Sequence, residues 1–487
     1  MKPAVLDPAL NHVPGSVSHI HIMGVCGTGM AALAGMLKER GFRVTGSDQN
    51  VYPPMSDFLA AKAIKVMEGY RRENLQPRPD LVVVGNVIRA VFDEALALAE
   101  LRIPYVSMPQ ALAYFFLQHT TSLVVAGTHG KTTTSSLLAT TLHRAGDTPG
   151  FMIGGIVEAF GSNYHLSDSS YFVVEGDEYD TAFFDKGSKF LHYQPRCAIL
   201  TSVEFDHADI FADLAAIKKS FTRFVSLIPA DGLLVAHGDD PVVMEVADQA
   251  DCPVCTYGFD RDNDWQVETF RADGLTSHFT LRKQGRAGWE KAVDFTLPMP
   301  GRHNVLNATA VIALMDHLGF RTAEIAGGLA SFEGVRRRQQ IRGEAGGVTV
   351  IDDFAHHPTA VRETVGALRQ AWPGQRLIVV FEPRTNSSRR AVFQHAYADA
   401  FTSADLVLVR EIVPLDNVPL EDRFSSARLV QELRSRGKNA HYFPDTDTII
   451  EHLVGTCSSG DVVAILSNGG FDNIHERLLQ KIGMKQD

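Results

Sequence analysis

The chain has 487 residues, of which 45% are hydrophobic and 21% are charged, as is typical of folded globular proteins and not of disordered or fibrous ones. Its 46 Lys and Arg residues against 57 Asp and Glu residues give a net charge of -11, which argues against nucleic acid or an anionic membrane as the main partner. The five cysteines, the lack of a signal-peptide pattern and the lack of an apolar run of about 18 residues predict a cytoplasmic enzyme.

The first third of the chain alternates short apolar strands with helices. The predicted strands of this series are 19–23, 42–45, 81–84 and 104–106. Strands that alternate with helices predict a parallel sheet with helices on both faces. The series ends near Gln118, where a first domain boundary is predicted.

A second and a third series of the same kind follow. The predicted strands of the second are 122–126, 171–174, 197–200 and 233–236, and those of the third are 348–352, 377–381, 406–409 and 462–466. Between them, residues 265–297 alternate in the manner of antiparallel strands, and a helix is predicted at about 304–318. We therefore predict an α/β protein with three domains, at 1–118, 119–334 and 335–487.

The strongest motif is a glycine-containing loop between a predicted strand and a predicted helix in the second series. Its residues are Gly127, Thr128, His129, Gly130, Lys131, Thr132 and Thr133. Small residues let backbone N–H groups approach phosphate oxygens, the helix N-terminus and Lys131 add positive charge, and the Thr132 hydroxyl can ligate Mg²⁺. The alternative is a tight turn whose lysine faces solvent. The strand before the loop and the helix after it favour a shortened variant of the phosphate loop that binds nucleotide phosphates.

Acidic residues follow two further strands of the second series. Glu175 comes directly after one strand, and the segment 204–209, which contains His207, comes after the next. Ligands gather outside the carboxyl ends of parallel strands, so these side chains are candidate metal ligands together with Thr132. Oxygen donors suit Mg²⁺, whereas an imidazole ligand would also suit Mn²⁺. For either stretch alone, a solvated loop is the favoured interpretation, and the succession of such loops at the ends of strands favours a metal site.

A second glycine loop follows the first predicted strand of the chain. The candidate residues here are Gly24, Cys26, Gly27, Thr28, Gly29 and Met30, with Asp48 about 20 residues further on as a possible ribose acceptor. The spacing differs from the dinucleotide fingerprint Gly-x-Gly-x-x-Gly, so the loop predicts diphosphate binding without identifying the nucleotide. A nicotinamide-dependent dehydrogenase is one alternative that this loop leaves open.

Taken together, these motifs resemble those of the Mur ligases of peptidoglycan synthesis. The matching segments, in order along the chain, are 127–133, 175–178, 204–207, 302–310, 334–338 and 352–358. The resemblance implies a Rossmann-like N-terminal domain for a UDP-sugar, a central P-loop-type ATPase domain with appended antiparallel strands, and a Rossmann-like C-terminal domain for the incoming amine. It also implies ATP and Mg²⁺ or Mn²⁺ as cofactors.

Within the family, the chain resembles the branch that joins UDP-N-acetylmuramate directly to an amine. The strings that favour the tripeptide L-alanyl-γ-D-glutamyl-meso-diaminopimelate over free L-alanine as the amine are 48–55, 178–186, 205–211, 382–387 and 467–471. The resemblance thus implies an ATP-dependent ligase of peptidoglycan recycling that proceeds through an acyl phosphate. The alanine-adding ligase is the first alternative, and a nucleotide-binding regulator without turnover is the second.

The resemblance also implies roles for single residues. Lys131 would stabilise the transferring phosphoryl group, and Thr132, Glu175 and His207 would hold the metal. The residues implied at the ATP site outside the central loop are His303, Asn304, Asn307, Arg338 and Asp352. The residues implied for the peptide are His357, Arg384 and Asn386. Neither a general base nor the oligomeric state follows from the sequence.

Overall fold

The structure is a computed structural model that describes residues 2–53, 55–285, 288–413 and 418–485. The chain divides into two compact units. The first comprises Met1–Ile156, Phe160–Val203 and Ala215–Thr256, and the second comprises Val157–Ala159, Glu204–Leu214 and Tyr257–Asp487. Pro54, within the string 48–55, lies outside the described residues.

The first unit begins with a five-stranded parallel sheet in the order β3-β2-β1-β4-β5. Its strands are β1 (His19–Met23), β2 (Arg43–Asp48), β3 (Lys65–Glu68), β4 (Leu81–Val84) and β5 (Tyr105–Ser107). Its helices are α1 (Thr28–Glu39), α2 (Met55–Ala61), α3 (Asp93–Leu101) and α4 (Met108–Leu112). The strand order reverses at β1, and such switch points are where open α/β sheets bind ligands.

The rest of the first unit contains a second, mostly parallel sheet. The strands are β6 (Thr121–Ala126), β7 (Gly150–Val157), β8 (Ser162–His165), β9 (Tyr171–Gly176), β10 (Asp180–Ala182), β11 (Asp185–Ser188), β12 (Cys197–Leu200), β13 (Leu233–His237) and β14 (Val254–Gly258). The helices are α5 (Lys131–Arg144), α6 (Leu214–Val225) and α7 (Pro241–Ala247). Strand β6 pairs in parallel with β12 on one side and with β9 on the other, while β10 and β11 form a separate hairpin.

The second unit contains the antiparallel strands that the alternating pattern predicts. They are β15 (Trp265–Asp273), β16 (Thr276–Gly285), β17 (Gly288–Trp289) and β18 (Val293–Leu297), followed by α8 (Arg302–His317) and α9 (Thr322–Ala330). Along β16, buried and partly exposed side chains alternate, as expected for strands with one covered face.

The second unit ends with a six-stranded sheet in the order β19-β20-β24-β21-β22-β23. The strands are β19 (Gln340–Ala345), β20 (Val348–Asp353), β21 (Leu377–Phe381), β22 (Leu406–Arg410), β23 (Asn439–Phe443) and β24 (Val462–Leu466). The helices are α10 (Pro358–Ala371), α11 (Gln394–Ala400), α12 (Ser426–Ser435), α13 (Thr446–Thr456) and α14 (Ile474–Met484). Alternate residues of its inner strands belong to two hydrophobic clusters, one on each face, so both faces are covered.

The predicted α/β fold class, with parallel sheets in three successive series, is confirmed. Five predicted strands agree with the structure at both ends, namely 19–23, 81–84, 197–200, 377–381 and 462–466. Strands with less apolar sequences, such as β3, β19 and the β10–β11 hairpin, were not predicted. The three domain ranges 1–118, 119–334 and 335–487 stay predictions.

Candidate functional site

The central loop connects β6 to α5 in a conformation that depends on glycine. Gly127 has φ +138°, and a Cβ atom there would lie 2.1 Å from Thr201 Oγ1. The segment after β12 holds the loop in place, because Ser202 accepts hydrogen bonds from the Thr128 and His129 amides at 3.0 and 2.9 Å. Gly130, with φ +80°, precedes the first residue of α5 and gives that helix no side-chain cap. The loop and the helix N-terminus therefore present backbone amides in the manner of a phosphate site.

Lys131 bends back over the loop that it follows. Its Nζ donates to the Gly127 carbonyl at 2.7 Å and to Glu178 Oε2 at 2.7 Å. Burial lowers the pKa of the Lys131 ammonium, but the negative charges of Glu178, Asp177 and Glu175 outweigh burial and raise it overall. The lysine is therefore a fixed cation, and an acidic residue that the sequence motif did not single out, Glu178, holds it.

Glu175 and Thr132 lie together, as their positions at the ends of neighbouring parallel strands predict. Thr132 Oγ1 donates to Glu175 Oε1 at 2.9 Å, and the Gly154 amide donates to Glu175 Oε2 at 2.7 Å. Burial and the adjacent Asp177 raise the pKa of the Glu175 carboxyl, against the opposing effects of Lys131 and these two hydrogen bonds. Two oxygen-bearing side chains in an acidic, buried setting fit the ligands that Mg²⁺ prefers.

The N-terminal glycine loop connects β1 to α1, and its amides are bound by the end of β2. The Ser47 carbonyl accepts from Gly24 N at 2.8 Å and from Val25 N at 3.1 Å, and Asp48 Oδ2 accepts from Cys26 N at 2.9 Å. The other Asp48 oxygen accepts from Asn50 N at 3.0 Å. In this structure Asp48 therefore positions the loop, and the ribose contact implied for it stays a prediction.

The remaining residues of this loop form the start of α1. The helix begins at Thr28 after Gly27, which again provides no side-chain cap, and Gly29 and Met30 complete its first turn. Burial and the nearby Asp48 raise the pKa of the Cys26 thiol to about 11, so the thiol is neutral. The loop thus offers first-turn amides to an anion, and its thiol adds no negative charge there.

His207 belongs to the second unit, whereas Thr132 and Glu175 belong to the first. It has φ +51°, and its backbone amide donates to Asp206 Oδ1 at 2.6 Å. Burial raises the pKa of Asp206, but the nearby His207, His356 and His357 outweigh burial and lower it. The structure therefore places His207 in a cluster of histidines around a buried carboxylate.

His357 has a structural role that the sequence did not reveal. Its Nδ1 accepts from the Thr359 amide at 3.3 Å and caps the N-terminus of α10. Its Nε2 lies 3.2 Å from the Phe205 carbonyl, and the side chain is 6% exposed. The capping contact explains the histidine at this position without a substrate, and the contact with the peptide implied for it stays a prediction.

Three residues implied at the ATP site lie together at the start of α8. Asn304 Nδ2 donates to the Pro300 carbonyl at 2.8 Å, and Asn307 Nδ2 donates to Asn304 Oδ1 at 3.4 Å. Burial lowers the pKa of His303, whose Nδ1 lies 3.9 Å from Glu363 Oε2. The histidine is therefore a neutral ring next to an amide pair.

The other two residues implied at the ATP site lie around β20. The Arg338 guanidinium stacks over the Phe354 ring at 4.6 Å. Asp352 is buried, with Arg337 at 3.4 Å, Arg342 at 3.5 Å and His475 at 3.4 Å. Burial raises the pKa of Asp352, but His475 and the two arginines outweigh burial and lower it. A ribose at Asp352 would share the carboxylate with these groups.

The string after β21 carries the residues implied for the peptide. Arg384 is 54% exposed, lies 3.8 Å from Glu382 Oε1 and packs on Gly469, where a Cβ atom would lie 2.4 Å from Arg384 Cδ. Asn386 Nδ2 donates to Asp209 Oδ2 at 2.8 Å. Glu382 already accepts hydrogen bonds from Arg410 and Ser467 at 2.5 Å each. Arg384 is thus the exposed cation of this string, while Glu382 is occupied.

Arg389 is a further residue of this region that sequence reasoning missed. Its guanidinium donates to the Thr385 and Val413 carbonyls and to Asn386 Oδ1, at 3.3, 3.1 and 3.2 Å. Burial and the positive charge of Arg384 lower its pKa. Two neighbouring arginines, one of them bonded to neutral oxygens, form a local concentration of positive charge suited to carboxylates.

Three family models match the chain over most of its length. They are the Mur ligase family catalytic domain at residues 19–120, the Mur ligase middle domain at 125–315 and the Mur ligase glutamate ligase domain at 337–469. The central loop, Glu175 and His207 lie within the second match, and the region around Arg384 lies within the third. Among the described residues, no helix is long and apolar enough to cross a membrane.

Full-length relatives match as well. The chain is 40% identical over 471 residues to the UDP-N-acetylmuramate--L-alanyl-gamma-D-glutamyl-meso-2,6-diaminoheptandioate ligase of Escherichia coli (strain K12), covering 96% of this chain and 99% of that protein. It is 36% identical over 464 residues to a UDP-N-acetylmuramate--L-alanine ligase of Agathobacter rectalis, with coverages of 95% and 98%. The crystal structure of a murein peptide ligase from Psychrobacter arcticus matches with a TM-score of 0.72 and 36% identity, with coverages of 96% and 99%.

Proposed function

Because this chain belongs to the Mur ligase family, we propose that it joins UDP-N-acetylmuramate to L-alanyl-γ-D-glutamyl-meso-diaminopimelate and converts ATP to ADP and phosphate. The similarity to a ligase of that name over nearly the whole of both chains supports the choice of substrates. The reaction would return a peptide to the precursors of peptidoglycan. We place it in the cytoplasm, in line with the five cysteines, none of which is in a disulfide.

The observation that carries the ATP-dependent part is the grouping of Lys131, Thr132 and Glu175 at the ends of two adjacent parallel strands. A carboxylate does not react with an amine at neutral pH, so the lactyl carboxylate must first take the γ-phosphoryl group of ATP. Lys131 and the loop amides would neutralise charge on that group as it transfers. The amine of the peptide's L-alanine then attacks the acyl carbon, and phosphate leaves as the amide forms.

The metal-binding role proposed for Thr132, Glu175 and His207 rests on their donor atoms. A bound Mg²⁺ or Mn²⁺ would offset the negative charge of the nucleotide phosphates. The Thr132 hydroxyl and the Glu175 carboxylate already share a hydrogen bond at 2.9 Å, which a metal ion would replace by joint ligation. His207 keeps the metal-binding role that the family resemblance implies for it.

The sugar nucleotide is assigned to the N-terminal glycine loop. Its diphosphate would accept hydrogen bonds from the first-turn amides of α1, at Thr28, Gly29 and Met30. The loop lies at the point where the strand order of its sheet reverses, where open α/β sheets bind their ligands. Under this assignment the N-terminal loop binds the sugar nucleotide and not a nicotinamide cofactor. The sugar nucleotide and ATP are then bound by two different loops.

The peptide is assigned to the region of Arg384, Asn386 and Arg389. The tripeptide carries several carboxylates, whereas free L-alanine carries one, so a pair of arginines beyond the reacting amine favours the tripeptide. The alanine-adding reaction is a second candidate, because a ligase of that name is 36% identical to this chain. The position of Arg384 on the exposed side of its loop is the feature that favours the tripeptide.

The deciding experiment compares amines as substrates. Purified protein with ATP, Mg²⁺ and UDP-N-acetylmuramate is given either the tripeptide or L-alanine, and phosphate release is measured. We expect kcat/KM to be higher for the tripeptide, and we expect Arg384→Gln to lower it for the tripeptide more than for L-alanine. Lys131→Ala serves as the inactive control.

An equal or higher kcat/KM for L-alanine would assign the chain to the alanine-adding reaction. A lack of phosphate release with either amine, from protein that still binds ATP, would support a nucleotide-binding regulator. An equal loss for both amines in Arg384→Gln would remove the specificity role of Arg384.

A further inference from the structure

A network of buried polar side chains lies beneath the N-terminal glycine loop. Its centre is Glu94, in the first turn of α3, whose side chain has no solvent exposure. Glu94 Oε1 lies 2.7 Å from His21 Nε2, while Oε2 accepts from Ser47 Oγ at 2.7 Å and from Asn74 Nδ2 at 3.3 Å. The network thus joins β1, β2 and α3 through one carboxylate.

On the side away from the loop, Thr45 connects the two histidines of the network. Thr45 Oγ1 lies 2.9 Å from His21 Nδ1 and 3.0 Å from His19 Nε2. With the His21 proton on Nε2, the Thr45 hydroxyl donates to Nδ1 and accepts from His19, so each group has a partner. A buried carboxylate is costly unless several donors satisfy it, and here His21, Ser47 and Asn74 do so.

The network reaches the loop through Ser47. The Ser47 hydroxyl binds Glu94, while its carbonyl accepts from the Gly24 and Val25 amides at 2.8 and 3.1 Å. The next residue, Asp48, accepts from the Cys26 amide at 2.9 Å. Three successive amides of the loop are therefore bound by two successive residues of β2, and Glu94 fixes the first of these two.

We propose that Glu94 and Ser47 are positioning residues for the sugar-nucleotide site. They hold the end of β2 against the loop. The loop in turn orients the first-turn amides of α1 toward the diphosphate. Both residues are fully buried, so they would act on the ligand through the loop and not by contact. The inference rests on the proposed assignment of the UDP-sugar to this loop.

Two substitutions test the proposal. Ser47→Ala removes one hydroxyl from the network, and Glu94→Gln replaces an acceptor oxygen by a donor. We expect the KM for UDP-N-acetylmuramate to rise about tenfold in Ser47→Ala and more in Glu94→Gln, with kcat and the KM for ATP within about twofold of the parent protein. A general loss of folding would not separate one KM from the other in this way.

Thr45→Val is the matched control. It removes a hydroxyl from the same network, but on the side of His21 that faces away from Ser47 and the loop. We expect it to lower the melting temperature to an extent similar to that of Ser47→Ala while leaving the KM for UDP-N-acetylmuramate unchanged. The comparison therefore separates positioning from stability.

Hydrogen exchange provides a readout that needs no ligand. We expect the Gly24, Val25 and Cys26 amides to exchange faster in Ser47→Ala and Glu94→Gln than in the parent protein and in Thr45→Val. Unchanged exchange at these amides, or a KM shift in Thr45→Val equal to that in Ser47→Ala, would overturn the proposal. If the parent protein does not bind UDP-N-acetylmuramate but the two variants still exchange faster, Glu94 and Ser47 would support the loop, but the ligand assigned to it would be wrong. The positioning role proposed for that ligand would then be refuted as well.

Discussion

The central loop and the N-terminal glycine loop share a backbone plan and differ in the charges around it. Each connects an inner strand of a parallel sheet to a helix and ends at a glycine, Gly130 or Gly27, that gives the next helix no side-chain cap. A lysine, Lys131, and the carboxylates of Glu175 and Glu178 lie around the central loop. At the N-terminal loop, the carboxylate of Asp48 accepts a hydrogen bond from a loop amide, and the loop itself contains no lysine. The shared plan suits an anion, and the differing side chains suit phosphoryl transfer in one loop and binding alone in the other.

The largest effect is expected from Lys131→Ala. Removing the cation that we propose neutralises the transferring phosphoryl group should lower kcat by about 10² to 10³-fold. Titration calorimetry should show UDP-N-acetylmuramate bound with unchanged affinity, because the N-terminal loop has no part in this change. Turnover near that of the parent protein would contradict the division of roles between the loops.

The next effect concerns the metal. Glu175→Gln and His207→Ala should each raise the Mg²⁺ concentration at half-maximal activity, by about 100-fold where a ligand is lost. Asp48→Asn removes a carboxylate from the other loop and serves as the control, with an unchanged midpoint. Equal midpoints in all three variants would mean that neither Glu175 nor His207 holds the metal.

The two loops should also differ in their tolerance of a side chain. Gly127→Ala places a Cβ atom 2.1 Å from Thr201 Oγ1 at φ +138°, and should destabilise the fold by about 2 kcal/mol or more. Gly27 has φ -65°, and a Cβ atom there would lie 3.6 Å from its nearest neighbour, the Gly24 carbonyl oxygen. Gly27→Ala should therefore lower the free energy of unfolding by less than about 1 kcal/mol. Denaturant unfolding of both variants measures the difference, and equal losses would contradict it.

The smallest effect is expected at Cys26. Its thiol pKa is raised from 9.0 to about 11, so at pH 8 its thiolate fraction is about 100-fold below that of an ordinary cysteine. Alkylation by iodoacetamide should therefore be slow at pH 8 and accelerate as the pH rises towards 11. Cys26 donates to Asp48 through its backbone amide, which a substitution keeps, so Cys26→Ser should leave the KM for UDP-N-acetylmuramate within about twofold. Rapid alkylation at pH 8 would contradict the burial of the thiol.

The central strands of the fold could be predicted because both faces of a parallel sheet are covered. Strands such as 197–200 and 462–466 are therefore continuous apolar runs, and their ends agree with the structure. Edge strands carry less of this signal. Lys65–Glu68 (β3) has exposed residues at both ends. Gln340–Ala345 (β19) lies at the edge of its sheet, where it pairs with β20 in antiparallel orientation.

The candidate site was predictable where motifs lie at the carboxyl ends of parallel strands, because those ends lie along one edge of the sheet. Thr132 follows β6 and Glu175 lies near the end of β9, so both were expected at that edge, while the pairing of β6 with β9 emerged from the structure. The partners of Asp48 and His357 depend on side-chain rotamers and on the path of loops, which periodicity does not encode. The loop amide bound by Asp48 and the helix capped by His357 therefore emerged only from the structure.

The Gly127 carbonyl and Glu178 accept hydrogen bonds from the Lys131 ammonium, so they compete for it with any phosphate oxygen. A nucleotide that took the ammonium from these acceptors would bind more weakly, because its binding free energy would include the loss of these contacts. Any cation that neutralises Glu178 lowers this penalty and strengthens nucleotide binding by some factor. By reciprocity, the nucleotide strengthens binding of that cation by the same factor, so the loop couples the two affinities thermodynamically.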